Sequence, residues 1–253
     1  KLSRIRIQEL AETDDIYDAV YDRKGRLWLA TDNGIWIYQR EPVVNLSHLD
    51  RQDGLPDEIV TQLEVADNGD IWIGLYDHGL AYYRFDQDSV FAFSPHATVA
   101  GNVIGISKGV RDEIWIGSEK SIDIYSLYGK GRSVKMPVEM KDRMESFLLD
   151  QNGNLWMASG NRLFIANTRL EFSQPAVEGI QALAVAKDKV WIGSDKGLYA
   201  MNLSDRKITA HLEHEHINIL SLYTDPSGLL WIGTFGQGLY CFDPKSEKYL
   251  HLT

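Results

Sequence analysis

The sequence has 253 residues, 44% of them apolar and 11% aromatic, with 36 acidic against 26 basic side chains and a formal net charge of −10. That is ample material for a packed core and excludes a disordered chain, while the negative balance argues against nucleic acid or an anionic membrane surface as a partner. No apolar run approaches the roughly 20 residues that cross a bilayer, and Lys1 to Leu10 lacks the apolar centre of a signal peptide.

In chain order, Ser3 to Leu10 alternates polar and apolar residues and predicts a half-buried outer strand. Short apolar runs then follow at Ile16 to Tyr21, Leu27 to Ala30, Ile35 to Tyr38 and Val43 to Leu49, with turn formers at Asp22 to Gly25 and Asp32 to Gly34. The loop Asp53 to Glu58 (DGLPDE) leads into a second set: Ile59 to Val65, Asp70 to Leu75, Leu80 to Phe85 and Val90 to Phe93. Each set reads as a four-stranded antiparallel meander. A third departs at its turns, with GVRDE in place of Asp-x-x-Gly and Ser121 where others carry glycine. In a fourth, Asn161 stands in for glycine because asparagine tolerates the left-handed conformation. A fifth shortens its first turn to KDK, and a sixth runs from Thr224 to a last strand at Lys248 to Leu252. The extra strand at the start predicts either a chain cut from a longer tandem array or a first strand that overlaps a ring's seam.

One tryptophan sits at the same place in every set: Trp28, Trp72, Trp115, Trp156, Trp191 and Trp231, spaced by 44, 43, 41, 35 and 40 residues. A period near forty marks a repeat architecture. Meanders with apolar residues on both faces must stack on one another, so the expected fold is all-β, a β-propeller of four-stranded antiparallel blades in one domain spanning 1–253. Each indole is expected on the second strand of its blade, wedged against the next, where burial contributes about 4 to 6 kcal/mol gross. The glycine after Trp-Ile is expected to let neighbouring blades approach. Cys241 lies in an apolar run and is expected to be a buried, inert thiol.

The combination of DGLPDEIV, Asp-x-x-Gly-x-Leu/Ile-Trp-Ile-Gly-Thr/Ser and a following Gly-Leu-x-x-Tyr/Phe resembles the two-component regulator propeller repeat of bacterial hybrid histidine kinase sensors. The units around Trp72 and Trp231 match best. WD40 repeats end in Trp-Asp and Kelch repeats carry a double glycine, and neither dipeptide occurs here. Streptogramin lyases are similar in the turn-plus-Trp pattern but continue with a different polar segment. The resemblance implies a periplasmic sensor module, membrane-tethered in the full-length protein, able to form a homodimer, and binding a small molecule, an oligosaccharide or a protein partner. Carbohydrate fragments are ligands within that family.

In a propeller the loops joining second to third strands share one face with the loops leading into each blade, and function sits on loops held by a rigid scaffold. Here the second-to-third loops carry Asp32 and Asn33, Tyr76 to His78, Glu119 and Lys120, Asn161 and Arg162, Asp195 and Lys196, and Phe235 with Gln237. Tyr76, His78, Arg162 and Phe235 are the leading ligand-binding candidates, since aromatic rings and a guanidinium offer more than a turn requires. Asp32, Lys120, Lys196 and Gln237 complete the set. His211, His214 and His216 in HLEHEH are weak metal candidates, weighed against solvated loop histidines. No Gly-rich phosphate loop, His-Glu-x-x-His sequence or Ser-His-Asp ordering appears, so no cofactor and no catalytic residue is expected. The favoured reading is a non-enzymatic sensor. Its rivals are a propeller enzyme, either a lyase or a glycan-active one, and a protein-binding scaffold.

Overall fold

β-branched and aromatic runs of two to six residues, broken by Asp, Asn and Gly, pair as antiparallel hairpins. The computed structural model contains 24 such strands among the residues it describes, which are 15–39, 45–93, 102–109, 113–118, 121–126, 131–135, 144–167, 169–175, 178–213, 217–225 and 227–252. The strand expected at Ser3 to Leu10 lies outside them.

The chain divides into two compact units, 1–136 and 137–253. The first holds three sheets: β1 (Ile16–Tyr21), β2 (Leu27–Thr31), β3 (Gly34–Gln39) and β4 (Asn45–Leu49); β5 (Val60–Val65), β6 (Ile71–Leu75), β7 (Leu80–Arg84) and β8 (Ser89–Phe93); β9 (Val103–Lys108), β10 (Glu113–Ser118), β11 (Ser121–Ser126) and β12 (Arg132–Lys135). The second holds β13 (Met144–Leu149), β14 (Leu155–Ser159), β15 (Arg162–Ala166) and β16 (Phe172–Ser173); β17 (Ile180–Val185), β18 (Lys189–Ser194), β19 (Gly197–Asn202) and β20 (Ile208–Glu213); β21 (Ile219–Thr224), β22 (Leu230–Thr234), β23 (Leu239–Asp243) and β24 (Lys248–Leu252). Every sheet is a four-stranded antiparallel meander. The fold is a β-propeller of six blades, three in each unit.

Within each unit the first strands of successive blades lie side by side, β1 by β5 by β9 and β13 by β17 by β21. The tryptophans fill the seams. Trp28 packs with Val60, Leu63 and Ile73 of the second blade, and Trp156 with Ile180, Leu183 and Ile192 of the fifth. Trp72 and Trp191 repeat this against the third and sixth blades. Trp231 departs from the expectation: it is only half-buried, whereas Trp115, also in the last blade of its unit, is 4% exposed. The close approach expected at glycine is found at Gly74 and Gly193, where a Cβ would sit 2.7 Å from Val103 and 2.5 Å from Ile219 of the next blade. At Gly233 the side chain in the way is Ser221 of the same blade.

In blades 1, 4 and 6 the first turn is held by one aspartate. Asp22 Oδ1 accepts from the amides of Lys24 and Arg26 at 2.8 and 2.9 Å, while Oδ2 accepts from the Trp28 indole at 2.8 Å. Asp150 does the same for Asn152, Asn154 and Trp156, and Asp225 for Ser227, Leu229 and Trp231. One carboxylate thus satisfies the turn amides and the buried donor of the tryptophan six residues on. Blade 2 lacks this clamp, since the equivalent residue is Ala66 and the same backbone turn closes through Ala66 and Gly69. In blade 5, with its shortened turn, the buried Trp191 Nε1 has no hydrogen-bond partner among the described residues. At the other hairpin, hydroxyls close the loop: Thr31 donates to Gly34 O, Ser194 to Gly197 O and Thr234 to Gly238 O.

Candidate functional site

The loops leading into blades and the loops joining second to third strands meet at one end of the blades, as the propeller reading requires. Backbone bonds sew them together: Tyr76 N–H donates to Ile59 O, Asp195 N–H to Gly179 O and Phe235 N–H to Asn218 O. Gly34 N–H reaches Glu58 O in the loop that leads into the next blade. Asn161 has φ 62°, the left-handed role expected of it, and its carbonyl accepts from Ile180 N–H.

This lead-in end carries a feature the sequence reading missed. In all six blades the first strand bulges against the second within two residues of its start, so that one residue has no opposite number in the ladder register: Tyr17, Thr61, Ile104, Glu145, Gln181 and Leu220. A bulge re-aims a side chain. The only trace in the sequence is a fixed offset from the tryptophan, eleven residues in five blades and ten in the fifth. Among these residues Tyr17 and Leu220 are each 48% exposed, and Thr61 ties its blade to the next by donating to Val103 O at 2.6 Å.

In the first unit Tyr76 is 45% exposed on its loop. Tyr17 lies near it. Burial first, then the carboxylates of Asp32 and Asp15 and the Tyr76 phenol, push the Tyr17 hydroxyl above its ordinary pKa. Asp32 Oδ1 accepts the Asp15 amide at 3.2 Å. His78 is tied to the scaffold: its Nδ1 lies 3.1 Å from Oδ2 of the buried Asp57, which also accepts from the amides of Asp77 and Glu58 and from Arg51 at 3.3 Å. Burial alone would raise Asp57, but the hydrogen bonds from His78 and the backbone hold it below the ordinary carboxylate range. The arrangement fixes the imidazole while leaving it half exposed. Lys120 and Glu119 lie outside the described residues.

In the second unit Phe235 is 70% exposed, the most exposed large apolar side chain described. Gln237 accepts from His251 Nε2 through its backbone carbonyl at 2.7 Å. Lys196 is exposed, and its amide donates to Ser194 Oγ. Arg162 is half-buried, with its guanidinium 5.4 Å from the Phe164 ring centre. His211 packs edge-on against Trp191 at 4.9 Å and 3.2 Å from Thr209 Oγ1, and burial pushes its pKa down. His214 and His216 lie outside the described residues, and no group of three metal-binding side chains occurs among the described ones. Cys241 is buried, and burial with the charges of Asp225 and Asp243 pushes its thiol up.

Residues 212–236 match the profile of the two component regulator propeller family. That stretch is similar to one two component regulator propeller repeat. The matched stretch spans the lead-in loop, β21 and β22 of blade 6, including Leu220, Trp231 and Phe235. Among solved structures, the extracellular domain of a B. thetaiotaomicron protein, solved under two descriptions, superposes with a TM-score of 0.75. As a one component system it is 19% identical, and as a hybrid two component system 20%, over 96% of this chain and 33% of that one in both cases. This chain therefore spans about a third of the length of that structure. Virginiamycin B lyase from Staphylococcus aureus superposes with a TM-score of 0.67 and 14% identity, over 85% of this chain and 76% of the lyase. At these identities the likenesses establish the propeller fold that the two-component regulator repeat predicts, and only that. No curated protein matches the sequence.

Proposed function

We propose that the chain is the sensor propeller of a bacterial signal-transduction receptor, working outside the cytoplasmic membrane and binding an oligosaccharide at its lead-in end. The observation that carries this reading is that each unit exposes aromatic rings at its own lead-in end: Tyr17 on the β1 bulge and Tyr76 on its backbone-tied loop in the first, Phe235 on its backbone-tied loop in the second. Aromatic faces stack on sugar rings, and loops already bonded to a rigid scaffold lose little freedom on binding. The likeness to the extracellular domain of a B. thetaiotaomicron hybrid two component system supports the same reading. Among the described residues no helix is long and apolar enough to cross a membrane.

The test is thermal unfolding and titration calorimetry of the chain against cello-, malto-, xylo-, arabino- and galacto-oligosaccharides. Binding by one series, with a raised Tm, unchanged oligosaccharide after long incubation and loss of affinity in Phe235→Ala or Tyr76→Ala, is expected. No binding by any series, or shortening of the oligosaccharide, would overturn the proposal.

A further inference from the structure

The lead-in end of the first unit is chemically uneven in a way the second is not. The bulge in β1 pairs Ile16 with Thr31 and Asp18 with Ala30, so Tyr17 is released from the ladder and half exposed at the strand's start. Tyr76, immediately after β6, is held by its amide on Ile59 O at 3.1 Å and presents a second half-exposed phenol ring. Beside them Asp15 and Asp32 are joined through the Asp15 amide and the Asp32 carboxylate. Neither carboxylate takes part in an ion pair among the described residues, although Arg51 and His78 nearby are both engaged with Asp57. The equivalent places in blade 6 are the purely apolar Leu220 and Phe235.

Two electron-rich ring faces beside two carboxylates suit one kind of group. The negative face of an aromatic ring attracts an ammonium, and the carboxylates add long-range attraction that an uncharged ligand does not gain and an anion would oppose. The chain's net charge of −10 acts in the same direction. We propose that Tyr17, Tyr76, Asp15 and Asp32 form a seat for an organic ammonium group, so that the ligand of this end is an amine-bearing one. The inference deepens the oligosaccharide reading by making an amino sugar the preferred ligand, and it rests on that reading for the sugar alone.

The experiment titrates the 253-residue chain with tetramethylammonium chloride, with chitosan trisaccharide and with cellotriose, its counterpart without amines, by calorimetry at fixed ionic strength. Tetramethylammonium is expected to bind, and chitosan trisaccharide to bind at least tenfold more tightly than cellotriose. Tyr17→Ala and Tyr76→Ala should each weaken both cationic ligands at least tenfold, and Asp32→Asn severalfold, with the thermal midpoint of each variant unchanged. Absence of tetramethylammonium binding, or equal binding by the Tyr17→Ala/Tyr76→Ala double variant, would overturn the seat. Equal affinity for the two trisaccharides would also overturn it while leaving the oligosaccharide sensor standing. Binding of tetramethylammonium through Tyr17 and Tyr76, with neither trisaccharide bound, would uphold the seat and remove the oligosaccharide.

Discussion

The two ends of the same blades behave differently. At the first-turn end, blades 1, 4 and 6 repeat one hydrogen-bonding scheme on one aspartate, with the indole bond at 2.8, 2.9 and 3.0 Å. At the lead-in end the backbone repeats just as faithfully, with a bulge in all six blades, yet the side chain it releases changes each time: Tyr, Thr, Ile, Glu, Gln, Leu. Where backbone and side chain both recur, the residue answers a packing requirement that every blade shares. Where only the backbone recurs, no one side chain is demanded, and in blades 1 and 6 the released Tyr17 and Leu220 stand half exposed.

The largest effect that would break this contrast is removal of a seam tryptophan. Trp156 is fully buried between blades 4 and 5, and Trp156→Ala should cost about 3–5 kcal/mol in urea unfolding. Next comes its clamp. Asp150→Ala strips two turn amides and a buried indole of their acceptor and should cost about 1–3 kcal/mol by the same measurement. The Ala66 turn of blade 2 sharpens the comparison, since it lacks the clamp already, and Ala66→Ser there should change the midpoint little.

The pH dependence separates two kinds of carboxylate. Burial alone would raise Asp22, but hydrogen bonds from the Trp28 indole and from Arg26 outweigh it and hold Asp22 below the ordinary range. Its stabilisation is therefore present above the unfolded carboxylate value and is lost as pH falls through the lower folded one. Glu64, on β5 beside Trp72 and Lys108, is raised to about 7 by burial, aided by Asp18 and Asp67 and opposed by Lys108. Here the folded protein holds the proton more tightly than the unfolded chain. The stability from that proton is complete below about 4.5 and fades as pH rises to about 7. Glu64→Gln should flatten the decline in unfolding midpoint across that window, while Asp22→Asn should flatten only the acid limb.

Much of this architecture was legible in the sequence, for a physical reason. A buried indole, a tight turn and a close glycine contact each demand a particular residue, so Trp28 to Trp231, the Asp-x-x-Gly turns, Gly74, Gly193 and Asn161 announce themselves. The candidate site was legible only in its loops. Tyr76 and Phe235 stand next to turn signals, but Tyr17 sits inside an ordinary apolar run, and nothing local reveals that the strand bulges there. The pairing of His78 with Asp57 joins positions 21 residues apart through the packing of two loops, which neither segment encodes alone. The expected burial of every tryptophan fails at Trp231, which is half-buried, while Trp115 in the last blade of the first unit is buried.

The smallest effects belong to the lead-in end. Phe235→Ala should stay within about 0.5 kcal/mol of the parent, since a ring 70% exposed gives up little on truncation. The contrast between the ends is tested most directly by urea unfolding of Asp150→Ala beside Tyr17→Ala, followed by tryptophan fluorescence. A clearly lowered midpoint for Asp150→Ala and an unchanged one for Tyr17→Ala is predicted; equal midpoints, or the larger fall in Tyr17→Ala, would contradict it.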